Sequence, residues 1–243
     1  MLGQMMDIPL MISSLLVHAD RNHGDAEIVT RTVEGPIHRY TYREAHTRTR
    51  KAANMLKKLG IEHGDRVATL AWNTHRHFEL YFSVSGVGAV IHTINPRLHP
   101  EQVAWIANHA GDRLMCFDTT FAPIIEKIAA ECPNVKGWIA MTDRANMPDI
   151  KVDNLLCYED LIEAESDQFD WPEFDEKSAA CLCYTSGTTG NPKGVLYSHR
   201  STILHSWAGQ SPDGMSISCR DVILPIVPMF HVSAWTMPYI AAM

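Results

Sequence analysis

Residues 179–196 read AACLCYTSGTTGNPKGVL. An apolar run, Ala179 to Cys183, leads into a glycine-rich loop and out again into Val195-Leu196, so the local order is strand, loop, strand. Gly187 and Gly190, three apart, let the backbone turn with its N–H groups inward. Thr185, Ser186, Thr188 and Thr189 add hydroxyl donors, and Lys193 adds a cation. Such a loop is suited to wrapping a polyphosphate. It is not a Walker A loop, because Gly187 to Lys193 lacks the Gly-Lys-Ser/Thr ending and no helix is expected at the lysine. A hydroxyl-rich surface turn without a ligand would explain the glycines, but not the donors gathered beside one lysine.

Outward from this stretch, short β-branched runs alternate with segments of helical period. Glu27 to Val33 and Ile37 to Tyr42 flank Glu34-Gly35-Pro36 and predict a hairpin. Thr41 stands three residues before Glu44, a capping-box spacing, and opens a basic amphipathic helix that ends at Gly60; its Lys and Arg residues read as a solvated face. Strands are expected over 66–72, 89–95, 114–117, 138–141 and 179–185, and helices over 75–84 and 100–109. This alternation predicts an α/β fold with a mainly parallel sheet. The polar stretch 143–177 is the expected boundary between a first subdomain, 1–175, and the start of a second, 176–243. Gly86-Val87-Gly88 imitates a dinucleotide fingerprint, but it ends a helix and leads into a strand, the reverse of the required order.

Composition narrows the partners. The 243 residues carry 28 acidic and 21 basic side chains, a net charge of -7, which is the wrong sign for a polynucleotide binder. Asp7, Pro9 and Ser13-Ser14 interrupt the apolar N-terminus, and no transmembrane segment or leader is expected. Six cysteines without CxxC spacing read as reduced thiols of a cytoplasmic protein. Cys181 and Cys183 are expected on one side of a strand, as packing residues. The thirteen histidines show no metal spacing, and the His75-Arg76-His77 cluster reads as surface or structural.

YTSGTTGNPKGV (184–195) resembles the phosphate-loop signature of the adenylate-forming superfamily. LAWNTHRHFELYF and GAVIHTINPRLHPEQ within 70–102, YSHRS (197–201) and VPMFHVSAWTMPY (227–239) resemble segments of fatty-acyl-CoA ligases in the same order. The likeness is nearest to medium-chain and methylmercaptopropionate-CoA ligases. It implies parallel-sheet subdomains of an N-terminal AMP-binding domain, incomplete and without the C-terminal lid domain, so the chain is expected to be a fragment that turns over poorly alone. It implies a reaction in which ATP activates a small carboxylic acid as acyl-AMP and coenzyme A then takes the acyl group. Adenylation of a carrier protein, and non-catalytic nucleotide binding, are the alternatives. The resemblance places Thr185, Ser186, Gly187, Thr188, Thr189, Gly190 and Lys193 on the ATP phosphates, the Thr185 hydroxyl on Mg²⁺, and His231 beside the phosphates and the acyl pocket. Phe230 and Trp235 become candidate pocket walls, Ser198 a helix cap, and a homodimer an expected assembly. Relatives usually carry glycine where this chain has Thr236, and asparagine is common where it has Ser233, which leaves chain-length preference open.

Overall fold

Thr41 starts the longest helix as its spacing predicts. The threonine hydroxyl accepts from the Glu44 amide, and the Glu44 carboxylate accepts in return from the Thr41 amide at 2.7 Å. The computed structural model describes residues 1, 3–185 and 191–243. In chain order the helices are α1 (Ile12–His23), α2 (Tyr42–Lys58), α3 (His75–Gly86), α4 (Pro100–Ala110), α5 (Ala122–Ile128), α6 (Tyr158–Glu163), α7 (His199–Gln210) and α8 (Met237–Ile240). The strands are β1 (Glu27–Arg31), β2 (Ile37–Thr41), β3 (Arg66–Leu70), β4 (Val90–Thr93), β5 (Asp112–Phe117), β6 (Gly137–Ala140), β7 (Leu155–Cys157), β8 (Ala179–Thr185) and β9 (Lys193–Ser198).

Strands β1 and β2 form the expected antiparallel hairpin. Among the described residues the other strands build one seven-stranded sheet in the order β7-β6-β5-β3-β4-β8-β9. Every neighbouring pair in it is parallel except β8 and β9. The α/β expectation therefore holds. β8, from the 176–243 side of the expected boundary, pairs directly with β4, so that boundary does not separate two sheets.

Period-two alternation divides β3, β5 and β6 between two cores. Val67, Leu114, Cys116, Ile139, Cys181 and Cys183 face one core with α1, α2 and α3. Ala68, Leu70, Met115, Phe117, Trp138 and Ala140 face the other with α4 and α5. Gly111 closes α4 in the left-handed conformation, φ 69°, which glycine adopts without a Cβ penalty. Among the described residues, large exposed apolar side chains are absent between Ile37 and Val195; after that they gather at Val195, Leu196, Leu204, Trp207, Val222, Leu224 and Ile226.

Several local expectations are corrected. The basic face of α2 is not wholly solvated: Arg48 turns inward, its Nε donating to Glu79 at 2.7 Å and its Nη2 to Glu159 at 3.0 Å. Of the two readings of His75, Arg76 and His77, surface or structural, burial of all three leaves the structural one. Arg76 bridges Glu159 at 2.7 Å and Glu34 at 2.8 Å, and Tyr158 donates to Glu79 at 2.8 Å. A buried charge is tolerated only when paired and hydrogen-bonded, and this network supplies both. The polar stretch 143–177 also holds regular structure, since β7 and α6 lie inside it.

Candidate active site

The antiparallel pairing of β8 with β9 sets Thr185 directly opposite Lys193. Directly opposed residues share a face, with Cβ atoms about 4.5–5.5 Å apart. Thr185 and Lys193 are both exposed, so a hydroxyl and an ammonium stand side by side at this end of the β8–β9 ladder. Thr185 Oγ1 lies 3.5 Å from the Lys193 carbonyl oxygen. Ser186, Gly187, Thr188, Thr189 and Gly190 lie outside the described residues.

Cys181, Cys183 and Thr185 alternate on one face of β8. Against that face packs the turn Val232–Thr236, with the Ser233 hydroxyl 2.8 Å from Cys181 Sγ and 3.8 Å from Cys183 Sγ. The two sulfurs are 3.8 Å apart and buried, as the packing expectation required. The hydrogen bond with the Cys183 sulfur, and then burial, hold the Cys181 thiol well above the ordinary range. His231 opens this turn and is exposed, its amide donating to the Pro228 carbonyl at 3.0 Å. The turn carrying His231 thus lies on the sheet face shared by Thr185 and Lys193.

Residues 232–236 all have left-handed φ, from 47° at Val232 to 61° at Thr236. For β-branched residues this conformation carries strain. Two contacts oppose it: Ser233 against the cysteines, and Thr236 Oγ1 with His205 Nδ1 at 2.9 Å. At position 236 the left-handed φ of 61° is one that glycine adopts without a Cβ penalty. Phe230 is buried, its ring 5.9 Å from Trp72 in an edge-on contact, whereas Trp235 is exposed. Ser198 caps α7 as expected, accepting from the Ser201 amide at 3.0 Å.

Beneath the hairpin, His199 Nδ1 accepts the Ile12 amide at 3.2 Å, tying α7 to α1. On the opposite sheet face, the Tyr184 hydroxyl and His109 Nδ1 share a hydrogen bond at 2.6 Å. Asn73 was not singled out by the motif reading. It follows β3, and its amide bonds to the backbone at 225, 227 and 229, just ahead of His231.

Sequence and fold together match a known group of enzymes. The chain belongs to the AMP-binding enzyme family, whose model matches residues 16–243. It is 51% identical over its whole length to the medium-chain-fatty-acid–CoA ligase of Ectopseudomonas oleovorans, covering 44% of that protein. It is 50% identical, again over its whole length, to the 3-methylmercaptopropionyl-CoA ligase of Ruegeria lacuscaerulensis, covering 45% of it. Among solved structures it resembles the inhibitor-bound N-terminal domain of FACL13 from Mycobacterium tuberculosis, with TM-score 0.74 and 28% identity, covering 96% of this chain and 55% of that one. The chain spans less than half the length of these two curated relatives. Among the described residues, no helix is long and apolar enough to cross a membrane.

Proposed function

We propose that this chain carries the phosphate-handling part of an ATP-dependent acid–thiol ligase that activates a carboxylic acid as acyl-AMP for transfer to coenzyme A. The observation that carries this reading is the register of β8 and β9, which sets Thr185 opposite Lys193 at the two ends of the glycine loop. The carboxylate oxygen would attack the α-phosphorus of ATP, and pyrophosphate would leave with the bridging electron pair. Lys193 meets the negative charge that develops on the departing group, a preorganised contact of the kind that lowers such barriers most. The Thr185 hydroxyl is a hard oxygen donor of the type Mg²⁺ accepts beside phosphate oxygens, and a bound Mg²⁺ would supply further neutralisation of phosphate charge. His231 presents an exposed imidazole on the same face and is assigned to the phosphate and carboxylate groups. The two curated relatives are named for a medium-chain fatty acid and for 3-methylmercaptopropionate. A short- to medium-chain linear acid, or its thioether analogue, is the corresponding substrate class here.

The test is carboxylate-dependent ATP–pyrophosphate exchange over a panel of acids, using this chain and the chain extended by the remaining sequence of the Ectopseudomonas relative. Exchange that falls about 10²-fold or more on Lys193→Ala supports the reading. A folded extended protein that exchanges with no acid would remove it and leave a nucleotide-binding module. Transfer to a carrier's pantetheine in preference to coenzyme A would redirect the second step.

A further inference from the structure

Residues 221–228 belong to no helix or strand, yet the chain there is held firmly from one side. Asn73 Nδ2 donates to the carbonyl oxygens of Pro225 and Val227, both at 3.0 Å, and Asn73 Oδ1 accepts the Met229 amide at 2.6 Å. Tyr81, on α3, donates its hydroxyl to the Met229 carbonyl. Alternate residues 225, 227 and 229 thus turn backbone groups inward, as a strand would toward a neighbour, while Val222, Leu224 and Ile226 are left exposed at 99%, 82% and 86%. A primary amide is the side chain that offers two donors and one acceptor in a single plane, and all three functions are used.

Asn73 is itself well anchored. The preceding Trp72 donates its amide to Asp118 Oδ2 at 2.7 Å, and its carbonyl lies 2.9 Å from His77 Nδ1. The following Thr74 caps α3. Beyond Met229 the chain makes one tight turn, closed by the His231 amide on the Pro228 carbonyl. We propose that Asn73 is the positioning residue for His231: it fixes Pro225 to Met229 against the end of β3, and so sets where the histidine turn lies beside the β8–β9 mouth. This rests on the reading of His231 given above.

Two measurements on the 243-residue chain test it, using Asn73→Ala and Asn73→Asp. The first is amide hydrogen exchange; the second is the imidazole Cε1–H resonance of ¹³C-labelled His231, assigned with His231→Gln. Asn73→Ala is expected to speed exchange across 225–231 by about tenfold or more and to shift the His231 resonance, with β3 and α3 still protected. Asn73→Asp keeps the acceptor for Met229 but sets a carboxylate oxygen against the Pro225 and Val227 carbonyls, so 225–227 should loosen while the Met229 amide stays protected; it also serves if the alanine variant does not fold. Unchanged exchange and an unmoved resonance would overturn the proposal. So would loosening of β3 and α3 together with 225–231, which would make Asn73 a residue of the general fold. His231→Ala in the exchange assay tests the underlying reading separately: full activity there removes the role of His231 while leaving the measured clamp intact.

Discussion

Arg48 holds Glu79 through two hydrogen bonds, 2.7 Å from Nε and 3.2 Å from Nη2, although Glu79 is fully buried on α3 and Arg48 lies on α2. Glu159 on α6 accepts from the same Nη2 at 3.0 Å. One guanidinium therefore joins three helices. Burial alone would lower its affinity for a proton, and the two carboxylates reverse that and keep Arg48 charged.

Removing that cation takes the guanidinium partner from the buried Glu79 carboxylate and leaves it the Tyr158 hydroxyl. Arg48→Ala is expected to destabilise the fold by about 3–5 kcal/mol. Arg39, paired with Glu27 at 3.0 Å on an exposed hairpin face, should lose less than about 1 kcal/mol on the same change. Urea unfolding of the two variants beside the parent checks the contrast.

Stability should fall in mild acid. Burial pushes His75 down to about 3, and His77 and His199 down to about 4, from an ordinary value of 6.5. Between those values and 6.5 the unfolded chain binds protons that the folded chain refuses. Their stabilisation is complete above 6.5 and is lost as pH drops, by up to about 1.4 kcal/mol per pH unit for each histidine. Asp118 works the other way: burial raises it to about 7, so its cost grows as pH rises from 3.8. Denaturant melts from pH 5 to pH 8 should show a slope that flattens in His77→Gln and steepens in Asp118→Asn.

Thiol chemistry separates Cys219 from the rest. It is exposed, whereas Cys116, Cys132, Cys157, Cys181 and Cys183 are buried. A thiol-reactive chromogenic disulfide should titrate one group per native chain quickly and the remaining five only after denaturation. Rapid reaction of Cys183 in the native chain would contradict its burial under the Ser233 turn.

Thr236 sits at φ 61° with a branched Cβ. Thr236→Gly should relieve that strain and raise stability by about 1 kcal/mol, even though the unfolded chain gains freedom and the contact with His205 is lost. Thermal unfolding reads the sign directly. A lower melting temperature would show that the His205 contact outweighs the backbone term.

Local signals were the legible ones. Thr41 with Glu44 and the alternation of Cys181 with Cys183 act over a few residues, and each appears as the spacing requires. The strand, loop, strand order around the glycine-rich segment was legible too, because Thr185 and Lys193 are paired by one short hairpin. What escaped depends on distant partners. Helical period cannot tell which cation on α2 will meet a buried glutamate, and Glu159 is 111 positions from Arg48. The stretch 143–177 reads as linker by composition, yet β7 finds its ladder against β6. Asn73 looks like an ordinary turn residue until the backbone at 225–229 is brought beside it.

The pairing of β4 with β8 also carries a cost in time. β4 ends at Thr93 and β8 begins at Ala179. At about 5–20 residues per second, a ribosome needs on the order of ten seconds to make the chain between them. Through that interval the Val90–Thr93 edge, later wholly buried, has no strand beside it on the β8 side, so the nascent protein is most open to mispairing and to chaperone capture just before the β8–β9 hairpin emerges.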